Sequence, residues 1–276
     1  MLEPKFQNYP NELAIITEIL HEFIHGCPFD IPRYYAISSI PSLININSNS
    51  LNSETIKFYL SAAFANKDSD KNYLFGQSLL IISDLLGTEN PIVFEEIKNE
   101  DQVIEILKKG INFVSEPEYQ ISSIKSMCNI IIFIPEMHQK LVNSQIIKDI
   151  IENVVVEGNI KSKKKVVEAF CRILYSDDSP LQKEILESGI LEFLCDSFYY
   201  GGDIIEIVDV FNRLVSMPEP LGTNCANFLI EYGLIQTLED SIQLCEESSD
   251  QNNLLIEKEE YLKNFLLDII QNSCNE

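Results

Sequence analysis

Ser188-Gly189-Ile190-Leu191-Glu192-Phe193-Leu194 is the stretch of sequence that decides the fold. Its glycine is placed to end a short amphipathic helix, and an apolar helix follows at once. Forty-four residues later the pattern returns as Tyr232-Gly233-Leu234-Ile235-Gln236-Thr237-Leu238. A supersecondary unit that recurs at a period of this size predicts a solenoid, in which successive units bury apolar faces on one another.

The same period places apolar residues in two columns. The first column holds Val103, Ile147, Leu191 and Ile235, and the second holds Ile106, Ile150, Leu194 and Leu238. Members of the two columns are three residues apart, which puts them on the same helix face. Each copy is followed by a longer apolar helix, predicted over residues 119–134, 163–175, 203–216 and 257–272. No set of alternating strands is visible.

The pattern is weaker before residue 90. Residues 11–25 predict an amphipathic capping helix that Gly26 ends. Pro32 and Pro41 interrupt the helical pattern that follows, and the Asn/Ser tract at 44–53 predicts an exposed loop. Two more helices are predicted near residues 54–65 and 72–86.

These patterns predict an all-α fold, an α-solenoid of about five three-helix repeats. We expect one domain over residues 1–276. Its predicted parts are a capping helix (1–27), a degenerate repeat (28–89) and four repeats (90–135, 136–179, 180–219 and 220–276).

A three-helix unit of this length resembles the armadillo repeat. Within that superfamily the chain is similar to importin-α, the nuclear-import adaptor. The run from Asn224 to Leu234 resembles the last repeat of that family, and the run from Tyr261 to Ile270 resembles its terminal helix. The resemblance implies an armadillo-like right-handed superhelix with a concave groove that is lined by the third helices and binds a partner.

The third helices depart from the importin-α pattern. In that family they carry a Trp and, four residues later, an Asn, which together clamp an extended Lys-rich peptide. This chain contains no Trp. Alignment puts Lys125, Glu168 and Asp209 at the Trp positions, and Asn129, Arg172 and Arg213 at the Asn positions, so that only Asn129 matches. These six are the predicted groove residues, and their mixed charge suits a polar partner with both charges better than a purely basic peptide.

Charge restricts the class of ligand. The net charge of −23 excludes nucleic acid as a direct ligand and disfavours anionic membrane surfaces. It would steer a basic protein or peptide towards the chain, and it equally fits the solubility of a long apolar stack. The longest apolar run, from Ile130 to Ile134, is too short to span a bilayer, and no secretory signal is visible.

Seven scattered cysteines, none of them in a Cys-x-x-Cys pair, indicate free thiols in a reducing compartment. We therefore expect a soluble protein in the cytoplasm, the nucleus or both. The sequence does not determine the oligomeric state.

Two short motifs suggest other chemistry. His21-Glu22-Phe23-Ile24-His25 matches the His-Glu-x-x-His pattern of zinc peptidases, but no third histidine stands at the spacing of the extended motif. The basic run Lys161-Ser162-Lys163-Lys164-Lys165 predicts a solvated loop before a third helix. Two functional alternatives are a contact for an acidic partner and a localisation signal carried by the protein itself. We predict no catalytic residue, no cofactor and no metal site.

The function predicted from the sequence is therefore a non-enzymatic scaffold that binds a partner protein or peptide along its groove. Two alternatives belong to the same class: a divergent nuclear-import adaptor, and a chaperone nucleotide-exchange factor, since one such family is a short armadillo array. A zinc peptidase acting through His21, Glu22 and His25 is the alternative from a different class.

Overall fold

A computed structural model gives the fold of the chain and describes residues 10–48, 51–69, 71–175, 180–200, 204–247 and 253–273. These residues form sixteen α-helices, one 3₁₀ segment at Pro135–Met137 and one π-helical segment at Ile151–Val156, and none of them lies in a β-strand. The prediction of an all-α fold is confirmed. The chain divides into two compact units, residues 1–162 and residues 163–276. Its subdivision into repeats stays a prediction.

Nine complete helices lie among the described residues of the first unit. They are α1 to α9, at Pro10–Gly26, Asp30–Asn47, Ser53–Phe64, Asn72–Gly87, Pro91–Ile97, Asp101–Ile111, Pro117–Phe133, His138–Ser144 and Ile146–Ile150. The long helices pack in order, α2 on α4 and α4 on α7. Helix α3 packs against α4, and α6 packs against α4 and α7. Tyr59 and Phe75 are the largest side chains that are fully buried in this unit.

The second unit is built in the same way. Helices α10 to α16 lie at Ile160–Tyr175, Pro180–Glu187, Ile190–Tyr200, Ile204–Val215, Leu221–Glu231, Leu234–Glu247 and Asn253–Ser273, and the boundary between the units falls in the first turn of α10. Helix α13 packs against α14 and α16, and α15 packs against α16. Phe170 and Phe211 are its largest fully buried side chains.

The sequence predicted that Pro32 and Pro41 interrupt the helical pattern near the N-terminus, and this prediction is wrong. Helix α2 runs through both Pro32 and Pro41. Pro32 stands in the first turn, where a backbone N–H has no acceptor within the helix. Pro41 is internal and costs roughly 3 kcal/mol, whereas each fully buried aliphatic side chain contributes roughly 1.5–3 kcal/mol. Ile37, Ile40 and Ile44 share one face of α2 and are fully buried, so packing outweighs the lost hydrogen bond.

The loop predicted at residues 44–53 is correspondingly wrong for residues 44–47, which belong to α2. Residues 49 and 50 lie outside the described residues. The Lys run at residues 161–165 is also helical and does not form a loop, because α10 begins at Ile160 and the Asn159 side chain accepts a hydrogen bond from the backbone N–H of Ser162 at 2.9 Å.

The two apolar columns occupy the core. Seven of their eight residues are buried, from 0 to 6% exposed, and Ile235 is half-buried. A spacing of 44 residues therefore brings equivalent side chains into equivalent environments in both units. Burial of these equivalent side chains is expected when successive repeats pack in a common register.

Side chains of the first unit also donate hydrogen bonds to the C-terminal ends of helices that lie about one period earlier in the sequence. The Nζ atoms of Lys109 and Lys140 donate to the carbonyl oxygens of Lys67 (2.8 Å) and Lys98 (3.3 Å), each 42 residues earlier. The Asn90 amide donates to the carbonyl of Ser48 at 3.4 Å, again across 42 residues. The accepting carbonyls stand at or just beyond the C-terminal ends of α2, α3 and α5. Carbonyls at helix C-termini have no partner within their own helix, and a lysine there also complements the helix dipole.

The junction that ends a short helix uses a left-handed residue at the same register position three times. Gly189 and Gly233 have φ of 84° and 85°, and Gln145, 44 residues before Gly189, has φ of 60°. Glycine adopts this conformation without strain, whereas another residue such as glutamine pays roughly 1–2 kcal/mol for it. The glycines of the motif therefore have a backbone role, which Gln145 fills at a cost.

We expect Gly189→Ala and Gly233→Ala each to lower the free energy of unfolding by about 1 kcal/mol or more. A Cβ at either position would meet nothing within 4 Å, so the loss would be conformational and not steric. Gln145→Gly should cause no loss. Urea unfolding followed by circular dichroism measures these changes.

Gly87→Ala is the matched control, because Gly87 is also open to a Cβ but is the last residue of α4 without a positive φ. If Gly189→Ala proves as harmless as Gly87→Ala, the left-handed junction does not contribute to stability.

Candidate functional site

The six predicted groove residues are divided between the two units. Lys125 and Asn129 stand one turn apart on α7 in the first unit. Lys125 is exposed and Asn129 is half-buried. Nearby on α4, the pKa of Asp84 is raised by burial, an effect that the charge of Lys125 and a hydrogen bond from Asn45 partly offset. Asn45, Asp84 and Lys125 therefore form a polar row across α2, α4 and α7.

Asn129, one turn after Lys125 on α7, has a structural role. Its Nδ2 donates to the carbonyl oxygen of Leu86, in the last turn of α4, at 3.3 Å. This contact is another case of a side chain that satisfies a carbonyl at a helix C-terminus. The amide of the one residue that matches the importin-α pattern is thus engaged within the protein.

The other four predicted residues lie in the second unit, on α10 and α13. On α10, Glu168 pairs with Lys165 one turn before it and with Arg172 one turn after it, the latter at 3.3 Å. The Arg172 side chain is 52% exposed. The single carboxylate of Glu168 therefore lies between two cations, and this group of three keeps a net positive charge.

On α13, Asp209 and Arg213 are one turn apart and have different partners. Both carboxylate oxygens of Asp209 accept from Lys258 Nζ of α16 at 2.5 Å. The guanidinium of Arg213 lies over the ring of Tyr175, the last residue of α10, 5.1 Å from its centroid. Tyr175 is 56% exposed, and a cation over an aromatic face is held by the ring quadrupole.

These contacts join into one continuous surface, which we call the charged strip. It consists of Lys165, Glu168, Arg172, Tyr175, Asp209, Arg213 and Lys258. Arg172 and Tyr175 are three residues apart on α10 and hence neighbours on its surface. The strip crosses α10, α13 and α16 and holds four cationic and two anionic side chains, in a chain whose net charge is −23.

The sequence pattern did not identify three members of the strip. In the sequence, Lys165 belongs to a basic run, and Tyr175 is the last residue of a predicted helix. Lys258 lies 49 residues after Asp209, outside the period of 44. Asp209 of α13 and Lys258 of α16 carry opposite charges and lie near the starts of their helices. This complementary charge is a sequence signal from which the ion pair could have been predicted.

Beside Lys258, Glu259 points to the other side of α16. Its side chain is fully buried, one oxygen accepts a hydrogen bond from the hydroxyl of Ser241 at 2.7 Å, and the other oxygen has no partner among the described residues. Burial raises the pKa of this carboxyl, and the Ser241 hydrogen bond partly opposes that rise. Glu259 is a cost to stability and not part of the exposed strip.

The His-Glu-x-x-His motif lies on α1. The rings of His21 and His25 are 4.6 Å apart, and His25 Nε2 lies 3.3 Å from the Ser61 hydroxyl of α3. Burial and the neighbouring His21 lower the pKa of His25. Among the residues that the structure describes, no group of three or more His, Cys, Asp or Glu side chains is arranged to hold a metal ion. Glu54, in the first turn of α3, therefore does not complete such a group with the two histidines.

Three described cysteines of the second unit, Cys171, Cys195 and Cys225, are buried, and Cys245 is half-buried. Burial raises the pKa of Cys195 to about 12, with a further contribution from Asp196, and raises that of Cys225 to about 11. Both thiols are protonated at neutral pH, which makes them poor nucleophiles.

None of the described helices combines the length and the apolar character needed to cross a membrane.

Comparison with known proteins identifies the fold. No protein-family model and no curated protein sequence matches the chain. Among solved structures, a designed armadillo repeat protein superimposes with a TM-score of 0.64 at 16% identity, over 92% of this chain and 99% of the other. An engineered protein matches with a TM-score of 0.66 at 13% identity, over 91% and 96% of the two chains. A second engineered protein gives 0.64 at 13% identity, over 91% and 98%.

These similarities support an armadillo-like α-solenoid and confirm the predicted fold class. At such low identities they show the fold alone. The similarity to importin-α in particular is not supported by them.

We expect Asn129→Ala to lower the free energy of unfolding by about 1 kcal/mol, because the carbonyl of Leu86 loses its donor. Asn227→Ala is the matched control: Asn227 is an exposed residue within α14, and it gains the same helix propensity on substitution. Thermal and urea unfolding measure the difference. Equal effects of the two substitutions would show that the bond to Leu86 contributes nothing to stability.

Glu259→Gln should stabilise the protein at neutral pH by roughly 1 kcal/mol, because a neutral amide replaces a buried carboxylate. A raised carboxyl pKa means that the folded protein holds the proton more tightly than the unfolded chain. This contribution to stability is complete below the ordinary pKa of 4.5 and is lost as the pH rises through the folded value.

The advantage of Glu259→Gln over the wild type should therefore shrink as the pH falls towards 4.5. Urea unfolding at several pH values tests this, with the exposed neighbour Glu260→Gln as control. A pH-independent difference between Glu259→Gln and the wild type would contradict the assignment.

Proposed function

We propose that this protein is a non-enzymatic scaffold for protein–protein interaction and that the charged strip of the second unit is a partner-binding surface. The fold supports the general statement, since armadillo-like arrays are in general protein-binding scaffolds with extended surfaces. The more specific proposal, that the charged strip binds a partner, rests on the continuity of the strip across three helices. A single extended segment can contact side chains of all three helices at once.

The ion pairs within the strip determine which charges are open to a partner. Asp209 is neutralised by Lys258, and Glu168 is shared between two cations. The positive groups nearest the exposed ring of Tyr175 are Arg213, which is half-buried over that ring, and Arg172, which is 52% exposed. Arg172 shares the Glu168 carboxylate with Lys165. A carboxylate of the partner can form a bidentate contact with the exposed guanidinium of Arg172.

The partner that fits is therefore an extended segment of mixed charge, with an acidic side chain opposite Arg172 and Arg213. The overall charge of −23 repels a strongly acidic protein at long range. A neutral or basic protein that presents such a segment satisfies both conditions. The sequence predicted a polar partner of both charges, and the arrangement of the strip supports an acidic position opposite Arg172 and Arg213.

Affinity capture from native cell extract, followed by mass spectrometry, tests the proposal. The wild type is compared with the double variant Arg172→Ala/Arg213→Ala. We expect at least one captured protein to be lost, about tenfold or more, because arginines at an interface centre often dominate the binding energy.

The matched control is Lys148→Ala/Lys183→Ala. It also removes two positive charges, each from a solvent-exposed helical pair with a glutamate, outside the strip. A partner lost with both double variants would be held by overall charge and not by the strip. A full set of partners retained by the arginine variant would remove the strip as the binding surface.

A further inference from the structure

An exposed aromatic surface lies in the first unit, at the N-terminal ends of α2 and α4. Phe29, Ile31 and Tyr35 are 69%, 68% and 67% exposed, and Tyr73 is 41% exposed. Together with Tyr34 they form what we call the tyrosine surface. Clustered large apolar side chains with this much exposure are uncommon on a monomer and mark interaction sites.

Tyr34 holds the surface together. Its ring centroid lies 5.6 Å from that of Tyr35 and 5.3 Å from that of Tyr73, and the Tyr34 and Tyr73 rings are nearly perpendicular at 88°. Edge-to-face contacts of this kind are favourable and fix the relative orientation of the rings. The three rings are therefore held in fixed orientations relative to one another.

The hydroxyl groups of these rings differ from that of the neighbouring Tyr119. Tyr119 donates to the carbonyl oxygen of Asn72 at 2.9 Å, and its ring crosses α4 where Gly76 leaves room for it. The hydroxyls of Tyr34, Tyr35 and Tyr73 make no hydrogen bond within the part of the chain that the structure describes. They are available as donors to an incoming backbone carbonyl.

The charges next to the surface favour a neutral ligand. Asp30 and Arg33 of α2 form an ion pair with each other at 2.8 Å, so neither carries an uncompensated charge beside the rings. Lys71, two residues before Tyr73, is exposed and cationic. The carboxylate of Glu116 acts on the neighbouring Tyr119 hydroxyl, so a charged peptide of either sign would meet both a cation and an anion near the rings.

We propose that the tyrosine surface binds a proline-rich extended segment of a partner protein. In the polyproline II conformation the backbone carbonyls have no internal partners, so they can accept from tyrosine hydroxyls. Proline rings pack against aromatic faces, and the segment loses little conformational entropy because it is already extended. The surface lies in the first unit and does not depend on the charged strip of the second.

The test uses the full-length protein and a fluorescein-labelled decaproline peptide, with binding followed by fluorescence anisotropy. We expect saturable binding that Tyr35→Ala weakens about tenfold, as is typical when an aromatic anchor is truncated. Tyr261→Ala is the matched control, because Tyr261 is 58% exposed but lies on α16 of the second unit. Tyr35→Phe keeps the ring and should lose part of the affinity, because only the hydroxyl is removed.

The outcomes separate the possible occupants. No saturable binding of decaproline, or equal weakening by Tyr35→Ala and Tyr261→Ala, would overturn the proposal. Tighter and Tyr35-dependent binding of a decaarginine peptide would overturn it in favour of a cation site. Self-association in sedimentation experiments that Tyr35→Ala abolishes, without decaproline binding, would assign the surface to a second copy of the chain.

The decaproline experiment is also independent of the experiment that tests the charged strip. Decaproline carries no carboxylate side chain for Arg172 and Arg213, so Arg172→Ala/Arg213→Ala should leave its binding unchanged. Loss of decaproline binding in that double variant would contradict the assignment to the tyrosine surface.

Discussion

In the first unit, the C-terminal carbonyls of helices are capped by side chains that come about one period later in the sequence. Every α-helix ends with carbonyl groups that its own backbone cannot satisfy, and in a stack of short helices such ends are frequent. Lys109, Lys140, Asn90 and Asn129 supply the donors, from 42 or 43 residues further along the chain. Because each donor reaches its acceptor only in one register, the same bonds that satisfy the helix ends also align successive helices.

This constraint explains why the polar residues of the long helices cannot be read as ligands from their positions alone. Asn129 satisfies a helix end, and Asp209 and Glu168 are held by cations of the same unit. The exposed features are the Arg172 guanidinium near Tyr175 and, in the other unit, a set of tyrosines whose hydroxyls make no hydrogen bond among the described residues. Two surfaces of different chemistry on one array suit a scaffold that holds more than one segment.

The places where the sequence pattern failed have a common physical cause. Pro41 breaks a local rule but is outweighed by the burial of Ile37, Ile40 and Ile44, which depends on the neighbouring helices. Gln145 occupies a left-handed position where the equivalent residues are glycines, and no propensity indicates it. The period of 44 predicted the buried columns well, since burial of a repeated apolar face follows directly from the repeat. It did not predict Lys258, because ion pairs between helices need not follow the period.

The sequence by itself determined the helical class, the period and the residues of the apolar columns, because these follow from side-chain type and spacing along one chain. It also determined the absence of the Trp ladder from the third helices. Only the tertiary structure decided which charges are neutralised within the protein, which amide caps a helix and which tyrosines stand exposed. Those properties depend on distances between side chains some forty to fifty residues apart, and such distances exist only after the helices have packed.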